Sequence, residues 1–303
     1  MKRIEGLAVA FITPFEENGK IDQTALQKHI EYLHDTGVPN LYILGTTAEF
    51  LLLDIEERKF IAELVLAQAP SEMNVFVQVG DMKLKEACEL AEHAEKKGAA
   101  GIGAISPYYF NARKAEYFNY YQTIASSVSE DFAVYLYNLP ACSTNDMLLE
   151  DVQELAEIKN IAGIKNSMND MNRIFDLIDL TPDDFDVIQG EDTLLMPALI
   201  YGAQGNVSGV ANVFPEEYLK MYNYLEQKDL VKLQECQRKI KNIIRAMQGL
   251  PSLAYLKDTL ALRGFKQTYL RSPLQGITSE ERSQLEKNIG QIVAEYPSLD
   301  KYR

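Results

Sequence analysis

Eight times along the chain, a short run rich in β-branched and aromatic residues is followed by a longer run with helical spacing, and few folds accommodate that pattern. The strand-like runs fall at 7–12, 40–44, 74–79, 101–105, 133–137, 161–165, 185–188 and 205–210. Between and after them lie helix-like stretches near 23–36, 54–69, 83–97, 113–128, 148–158, 169–179, 192–201 and 215–227. Strict alternation demands parallel strands joined by right-handed crossovers, and eight such units close naturally into a (β/α)8 TIM barrel. A doubly wound open sheet is the rival, and the lack of a Gly-rich phosphate loop counts against it. Past residue 229 the strands stop. Stretches 229–247, 252–263 and 279–296 read as helices, separated by Gly249-Leu250-Pro251 and by the segment 264–276. The predicted organisation is a catalytic barrel over 1–228 and a C-terminal helical appendage over 229–303, packed on the barrel without a separate function.

Composition narrows the function classes. Of 303 residues, 47% are hydrophobic, enough to bury a large core, and the formal net charge is -14. Nucleic acids and anionic membrane surfaces both need clustered positive charge, so neither is an expected partner. An anionic small molecule stays compatible, because one lysine or a ring of backbone N–H groups can hold a carboxylate. No apolar run approaches the roughly 18 residues that would span a bilayer. The three cysteines, Cys88, Cys142 and Cys236, are widely separated and form no CxxC pair. That usage, with no signal-peptide pattern at the amino terminus, fits a cytoplasmic protein.

His29, His34 and His93 all fall in helix-like stretches and read as packing or surface residues. A Ser-His-Asp triad or a histidine metal site is therefore not expected, and the scattered carboxylates make no convincing metal set. Acid–base work must come from other groups, and barrel enzymes place it at the C-terminal ends of the strands. Lys165 ends the sixth run. It reads either as a lysine whose stem packs on the barrel while its ammonium reaches solvent, or as a Schiff-base lysine. A free lysine is neutral in only about one molecule in a thousand at pH 7, and desolvation at a barrel mouth would raise that fraction. Tyr137 ends the fifth run, next to Lys165 in a barrel, where a phenol can shuttle protons. The alternative is an ordinary strand tyrosine, one of 17 in the chain. Gly45-Thr46-Thr47-Ala48-Glu49 offers two hydroxyls and successive N–H groups to a carboxylate, or simply a Thr N-cap with Glu49 facing the first helical turn. Gly190-Glu191-Asp192 and Val207-Ser208-Gly209 either line the pocket or cap helices, and for Asp192 the N-cap reading competes directly with a substrate contact.

These residues resemble the pyruvate-dependent class I aldolase and lyase family of dihydrodipicolinate synthase and N-acetylneuraminate lyase. Five ordered motifs carry the likeness over essentially the whole chain: residues 6–15 as the opening strand, Gly45-Thr46-Thr47-Ala48-Glu49 as the carboxylate loop, Ser106-Pro107-Tyr108-Tyr109, Tyr137-Asn138-Leu139-Pro140 and Gly163-Ile164-Lys165-Asn166-Ser167. The resemblance implies that Lys165 condenses with the 2-oxo carbon of pyruvate or a pyruvoyl substrate and that Tyr137 is the general acid/base, relayed through Thr46. Thr46 and Thr47 would grip the carboxylate; Gly190, Asp192 and Val207 are the further candidate substrate contacts, on their strand-end positions. Tyr109 matches a tyrosine that reaches into a neighbouring subunit's site, which implies an oligomer, commonly a homotetramer built as a dimer of dimers. No metal or other cofactor is implied, because the imine itself is the electron sink.

Departures bear on the substrate. The synthases carry Arg two residues after the Pro of the tyrosine motif, where it binds a distal carboxylate. Cys142 stands there, and a thiol cannot replace a bidentate anchor. Ala48 replaces a customary Gly, and a positive φ at that position would cost Ala roughly 1 kcal/mol. Asp192 matches a carboxylate that contacts substrate hydroxyls in the sialate lyases, while Thr193 replaces their Glu. A lyase acting on a sugar-derived 2-oxo acid is therefore the leading expectation. Dihydrodipicolinate synthase is the alternative within enzymes, and a non-catalytic 2-oxo-acid-binding regulator is the alternative outside them.

Overall fold

The computed structural model describes residues 1–247 and 252–303; the predicted break at Gly249-Leu250-Pro251 lies outside the described residues. Eight strands, β1 (Gly6–Ala10), β2 (Asn40–Ile43), β3 (Asn74–Gln78), β4 (Gly101–Ile105), β5 (Ala133–Asn138), β6 (Ile161–Asn166), β7 (Asp186–Gln189) and β8 (Gly205–Ser208), pair in sequence order. β8 closes on β1 with Gly6 opposite Gly205, and every pairing is parallel. The closed barrel excludes the open-sheet alternative.

Around it run α1 (Gln23–Thr36), α2 (Ile55–Gln68), α3 (Leu84–Lys96), α4 (Lys114–Ser126), the short α5 (Pro140–Ser143), α6 (Leu149–Ala156), α7 (Met171–Leu180), α8 (Leu195–Tyr201) and α9 (Pro215–Glu226). Local chemistry sets their ends. Asp54 accepts from the Glu57 N–H at 2.8 Å while Glu57 accepts from the Asp54 N–H at 3.1 Å, a reciprocal box that starts α2. Gly37, at φ 94, stops α1 in a left-handed conformation that a side chain would resist. The single turn of α5 was not expected from the sequence. Its Pro140 at the first helical position needs no N–H partner, so one turn forms directly after β5.

Strand side chains alternate between two buried layers. Leu7, Val9, Leu41, Ile43, Val75, Val77, Val134, Leu136 and Ile164 face outward into the core shared with the helices. Ala8, Ala10, Tyr42, Phe76, Tyr135, Ile188 and Val207 fill the barrel interior. The floor is closed by the chain itself. The Ile4 N–H donates to the Tyr135 hydroxyl at 2.9 Å, Tyr135 donates to Asp186 at 2.5 Å, and Arg3 pairs with Asp186 at 3.3 Å.

After α9 come α10 (Leu230–Ala246), α11 (Leu253–Leu262) and α12 (Ser279–Val293). Leu233, Ile240, Ile243, Leu256, Leu260 and Leu285 belong to the same buried cluster as the outward-facing strand residues, so the appendage extends the barrel's own core. Among the described residues no helix is long and apolar enough to cross a membrane.

His29 on α1 is fully buried. Its ring stacks on Phe11 at 5.0 Å, and its Nε2 donates to the Asn212 carbonyl at 3.1 Å. Burial lowers its pKa to about 4, partly opposed by that hydrogen bond. In the unfolded chain the imidazole titrates near its ordinary value of about 6.5. Between those two values the unfolded state binds more protons, so the neutral ring's contribution is complete above 6.5 and is lost as pH falls through 4. Lowering the pH from 7 to 4 should therefore remove about 3 kcal/mol through this group alone. Urea unfolding of the native protein and of His29→Gln at pH 7, 5.5 and 4 checks this. The native protein should lose that much more stability than the variant over the interval, and parallel pH profiles would refute the assignment.

Candidate active site

Register alone brings the two leading residues together. Tyr137 on β5 lies directly opposite Lys165 on β6, and Lys165 is opposite Ile188 on β7. Both side chains share the inward parity of Tyr135 and Gly163, at the C-terminal end of the barrel. Lys165 is only 5% exposed, and its Nζ sits 3.7 Å from the centroid of the Tyr137 ring and 4.9 Å from that of Tyr42. Two aromatic faces thus hold the amine in place over the barrel interior. Tyr42 was not singled out from the sequence. Its signal was the inward parity of β2, where Leu41 and Ile43 face out. Its hydroxyl fits because β4 carries Gly103 at the facing position, where a Cβ would collide with it.

The hydroxyls of Thr46 and Tyr137 are in hydrogen-bonding contact at 3.3 Å. Thr46 opens a 3-10 turn, Thr46–Ala48, at the end of β2, and Thr47 follows it, half-buried, with its hydroxyl about a van der Waals contact from where a Cβ on Gly209 would stand. The Thr-rich loop is therefore at the mouth, next to the β8 loop. The predicted strain at Ala48 is absent: Ala48 is buried in the turn, and the left-handed residues are Leu44 at φ 59 and Glu49 at φ 60. Glu49 does not face the first turn of α2. It turns inward to Lys257 of α11, 2.6 Å away.

Phe50, Ile105 and Tyr137, with Tyr108 and Leu139 packed against them, form a small apolar collar on one side of the mouth. Asp192 opens the turn after β7, near enough to Lys165 for the charge of the amine to act on its carboxyl. The residue that caps the turn Asp192–Leu194 is Glu191, which accepts from the Thr193 N–H at 3.1 Å, so the capping role considered for Asp192 belongs to its neighbour. The Asp192 carboxylate instead accepts from the Ser208 hydroxyl at 2.9 Å, and its carbonyl accepts from Gln237 of α10 at 3.0 Å. Burial pushes its pKa up to about 7, with the Ser208 hydrogen bond opposing and the charge of Glu191 adding to the rise. The buried Tyr218 hydroxyl lies against the same carboxyl and also opposes the rise.

The other predicted positions are less directly engaged. Val207 packs in the barrel interior with Tyr42. The Gly190 N–H donates to the Asn166 carbonyl at 2.8 Å, continuing the β6–β7 pairing, and its missing Cβ leaves room for the Ser167 hydroxyl. Tyr109 is not brought to the site within one chain. It is 80% exposed at φ 72, edge-on to the exposed Phe110. Cys142 is exposed on α5, and Arg173 on α7 is paired with Asp146 at 3.0 Å.

With this geometry in hand, known proteins are informative. The model of the dihydrodipicolinate synthetase family matches residues 3–292. A 4-hydroxy-tetrahydrodipicolinate synthase of Methanococcoides burtonii is 34% identical over 93% of this chain and 96% of its own. Among solved structures, a dihydrodipicolinate synthase from Bacillus anthracis superposes with a TM-score of 0.91 at 29% identity, covering 96% of this chain and 99% of that one. A Clostridium difficile protein, CdNal, solved in complex with mannosamine, superposes with a TM-score of 0.90 at 26% identity, covering 95% and 99%. A barrel of this topology, matched along nearly its full length, places the chain in the dihydrodipicolinate synthetase family, as a lyase of the class I aldolase kind.

Proposed function

We propose that this protein cleaves or forms a C–C or C–O bond in a sugar-derived 2-oxo acid through an imine on Lys165. The supporting observation is the Lys165–Tyr137–Thr46 constellation: a buried amine on the face of a phenol whose hydroxyl touches the hydroxyl of the Thr-rich loop. In the reaction proposed, Nζ of Lys165 attacks C2 of the 2-oxo acid and the carbinolamine loses water, leaving a protonated imine. For an aldol substrate, Tyr137 takes the proton of the C4 hydroxyl as the C3–C4 bond breaks. The bonding pair moves into the iminium to give an enamine, and an aldehyde departs. Protonation at C3 and hydrolysis then release pyruvate and the free lysine. Thr46 serves as the proton relay, and Thr46 and Thr47 hold the carboxylate with their hydroxyls and backbone N–H groups. The scheme calls on no metal or other cofactor.

The substrate reading rests on what surrounds the amine. A bidentate cation for a distal carboxylate is missing at Cys142, and Arg173 is committed to Asp146. Asp192, half-buried and within reach of the Lys165 charge, instead supplies a carboxyl suited to a substrate hydroxyl. A CdNal–mannosamine complex among the structural relatives favours the same class, whereas the relatives named 4-hydroxy-tetrahydrodipicolinate synthase favour the alternative reaction of pyruvate with aspartate semialdehyde. Tyr109, exposed beside Phe110, is the contact we assign to a homotetramer in the cytoplasm, where it would enter a neighbouring copy's site.

Incubation with pyruvate followed by borohydride should add one reduced pyruvate to the peptide bearing Lys165, read by mass spectrometry, and Lys165→Ala should acquire none. An unlabelled native protein would rule out imine chemistry. Tyr137→Phe should keep the label but lose about 10²–10⁴-fold in turnover; wild-type turnover would remove Tyr137 from the mechanism. A panel of sialate and 2-keto-3-deoxy sugar acids, assayed by pyruvate release, should turn over faster than the coupled reaction with aspartate semialdehyde. The reverse order would assign the synthase activity and show that Cys142 does not exclude it.

A further inference from the structure

We infer that Glu49 and Lys257 are positioning residues, through which the C-terminal helices set the Thr46–Thr47 loop for carboxylate binding. This inference rests on the imine reading above and deepens it.

Glu49 is the residue on which the loop turns. It ends the Thr46–Ala48 turn and starts the next one, Phe50–Leu52, donating its N–H to the Thr46 carbonyl at 3.0 Å and accepting the Leu52 N–H at 2.9 Å. Its φ of 60 is a left-handed conformation that a residue with a side chain resists. Something must hold it there, and the structure supplies the restraint from the far end of the chain. The Glu49 side chain is 0% exposed. One carboxylate oxygen accepts from Lys257 at 2.6 Å, and the other accepts from the Arg271 N–H at 2.9 Å.

Lys257 has no spare capacity. Its ammonium donates to Glu49, to the Thr13 carbonyl at 2.9 Å and to the Tyr269 carbonyl at 2.6 Å, which uses all three N–H groups. It therefore joins the end of the first strand, the Thr-rich loop and the segment after α11 at one buried point. The Arg271 guanidinium closes the other side of the loop, gripping Glu57 at 2.6 and 2.8 Å and the Leu52 carbonyl at 2.9 Å. The clamp spans residues 49–57 immediately beyond the two threonines.

A buried ion pair is a poor way to gain stability, because desolvation consumes most of the Coulomb attraction and an apolar pair often serves as well. Directional bonds to a strained residue beside a binding loop give it a different use. With Glu49 fixed, the Thr46 hydroxyl stays on Tyr137 and the turn that carries Thr46 and Thr47 keeps its shape. Released, the loop would relax away from the left-handed geometry. The amine would be untouched, but its 2-oxo acid would be held less well.

The test uses full-length protein, pyruvate as the probe and borohydride trapping at Lys165 as the readout, so it needs no knowledge of the aldehyde. Three variants are compared with the native protein: Glu49→Gln, Glu49→Gln with Lys257→Met, and Arg271→Gln. In Glu49→Gln and the double variant, the pyruvate concentration giving half-maximal trapping should rise about tenfold or more, the scale expected when a binding group is misplaced by a fraction of an ångström to an ångström. Maximal labelling at saturating pyruvate should stay at the native level. Arg271→Gln keeps the N–H on Glu49 and should raise the half-saturating concentration less. Native half-saturation in every folded variant would overturn the inference while leaving the imine reading intact, and so would failure of all three to fold, which would make the clamp a stability element. Absence of label on the native protein would instead overturn the imine reading itself.

Discussion

The pairing of β5 with β6 is the constraint on which the site depends. Tyr137 and Lys165 are partners across that ladder, and the register shift between Val134 and Tyr135 is what brings them level, since Val134 pairs with Ile161 but Tyr135 with Gly163. Side chains alternate along a strand, so a one-residue slip would turn one of the pair out of the barrel. Closure of β8 on β1 leaves no free edge along which such a slip could be absorbed. The barrel thus fixes the relative places of these two side chains by backbone hydrogen bonding, before either chooses a rotamer. Loops then need only deliver hydroxyls, N–H groups and the Asp192 carboxyl to a point already defined.

Aromatic rings take the place that carboxylates hold around many buried lysines. Tyr42 and Tyr137 face the Lys165 amine, and their ring faces attract a cation more weakly than a carboxylate would. A strong ion pair would hold the amine turned away from a carbonyl carbon. Lys257 provides the contrast within the same molecule. It is equally buried but bonded on all sides to a carboxylate and two carbonyls, and nothing leaves it free to act as a nucleophile.

The barrel was legible in the sequence because its signal is local and repeated. Two-residue alternation in 74–79 and helical spacing in 84–96 each report on a few neighbours, and eight repetitions leave little choice of topology. The adjacency of Tyr137 and Lys165 was legible for a related reason: they end neighbouring strands, so a position in the pattern was enough. The parts that escaped are those fixed by distant partners. Glu49 reads as a helix-start carboxylate when only its neighbours are considered, and its true partner is 208 residues further on. The doubt over Ala48 was misplaced by one residue, because the sequence marks an unusual turn without saying which residue bears the positive φ. At Asp192 the sequence leaves a cap and a substrate contact open, and the structure gives the cap to Glu191, directly before it.

The plugged floor of the barrel has a consequence for traffic. With Arg3, Ile4, Tyr135 and Asp186 filling the lower end among the described residues, the approach to Lys165 is from the C-terminal end of the barrel. In the chemistry proposed, the pyruvyl fragment is tethered at the bottom of that cul-de-sac, so the aldehyde formed above it must vacate first. Water for the final hydrolysis descends by the route the aldehyde has just left. An ordered departure of the two products is therefore built into the shape of the vessel, without a moving gate.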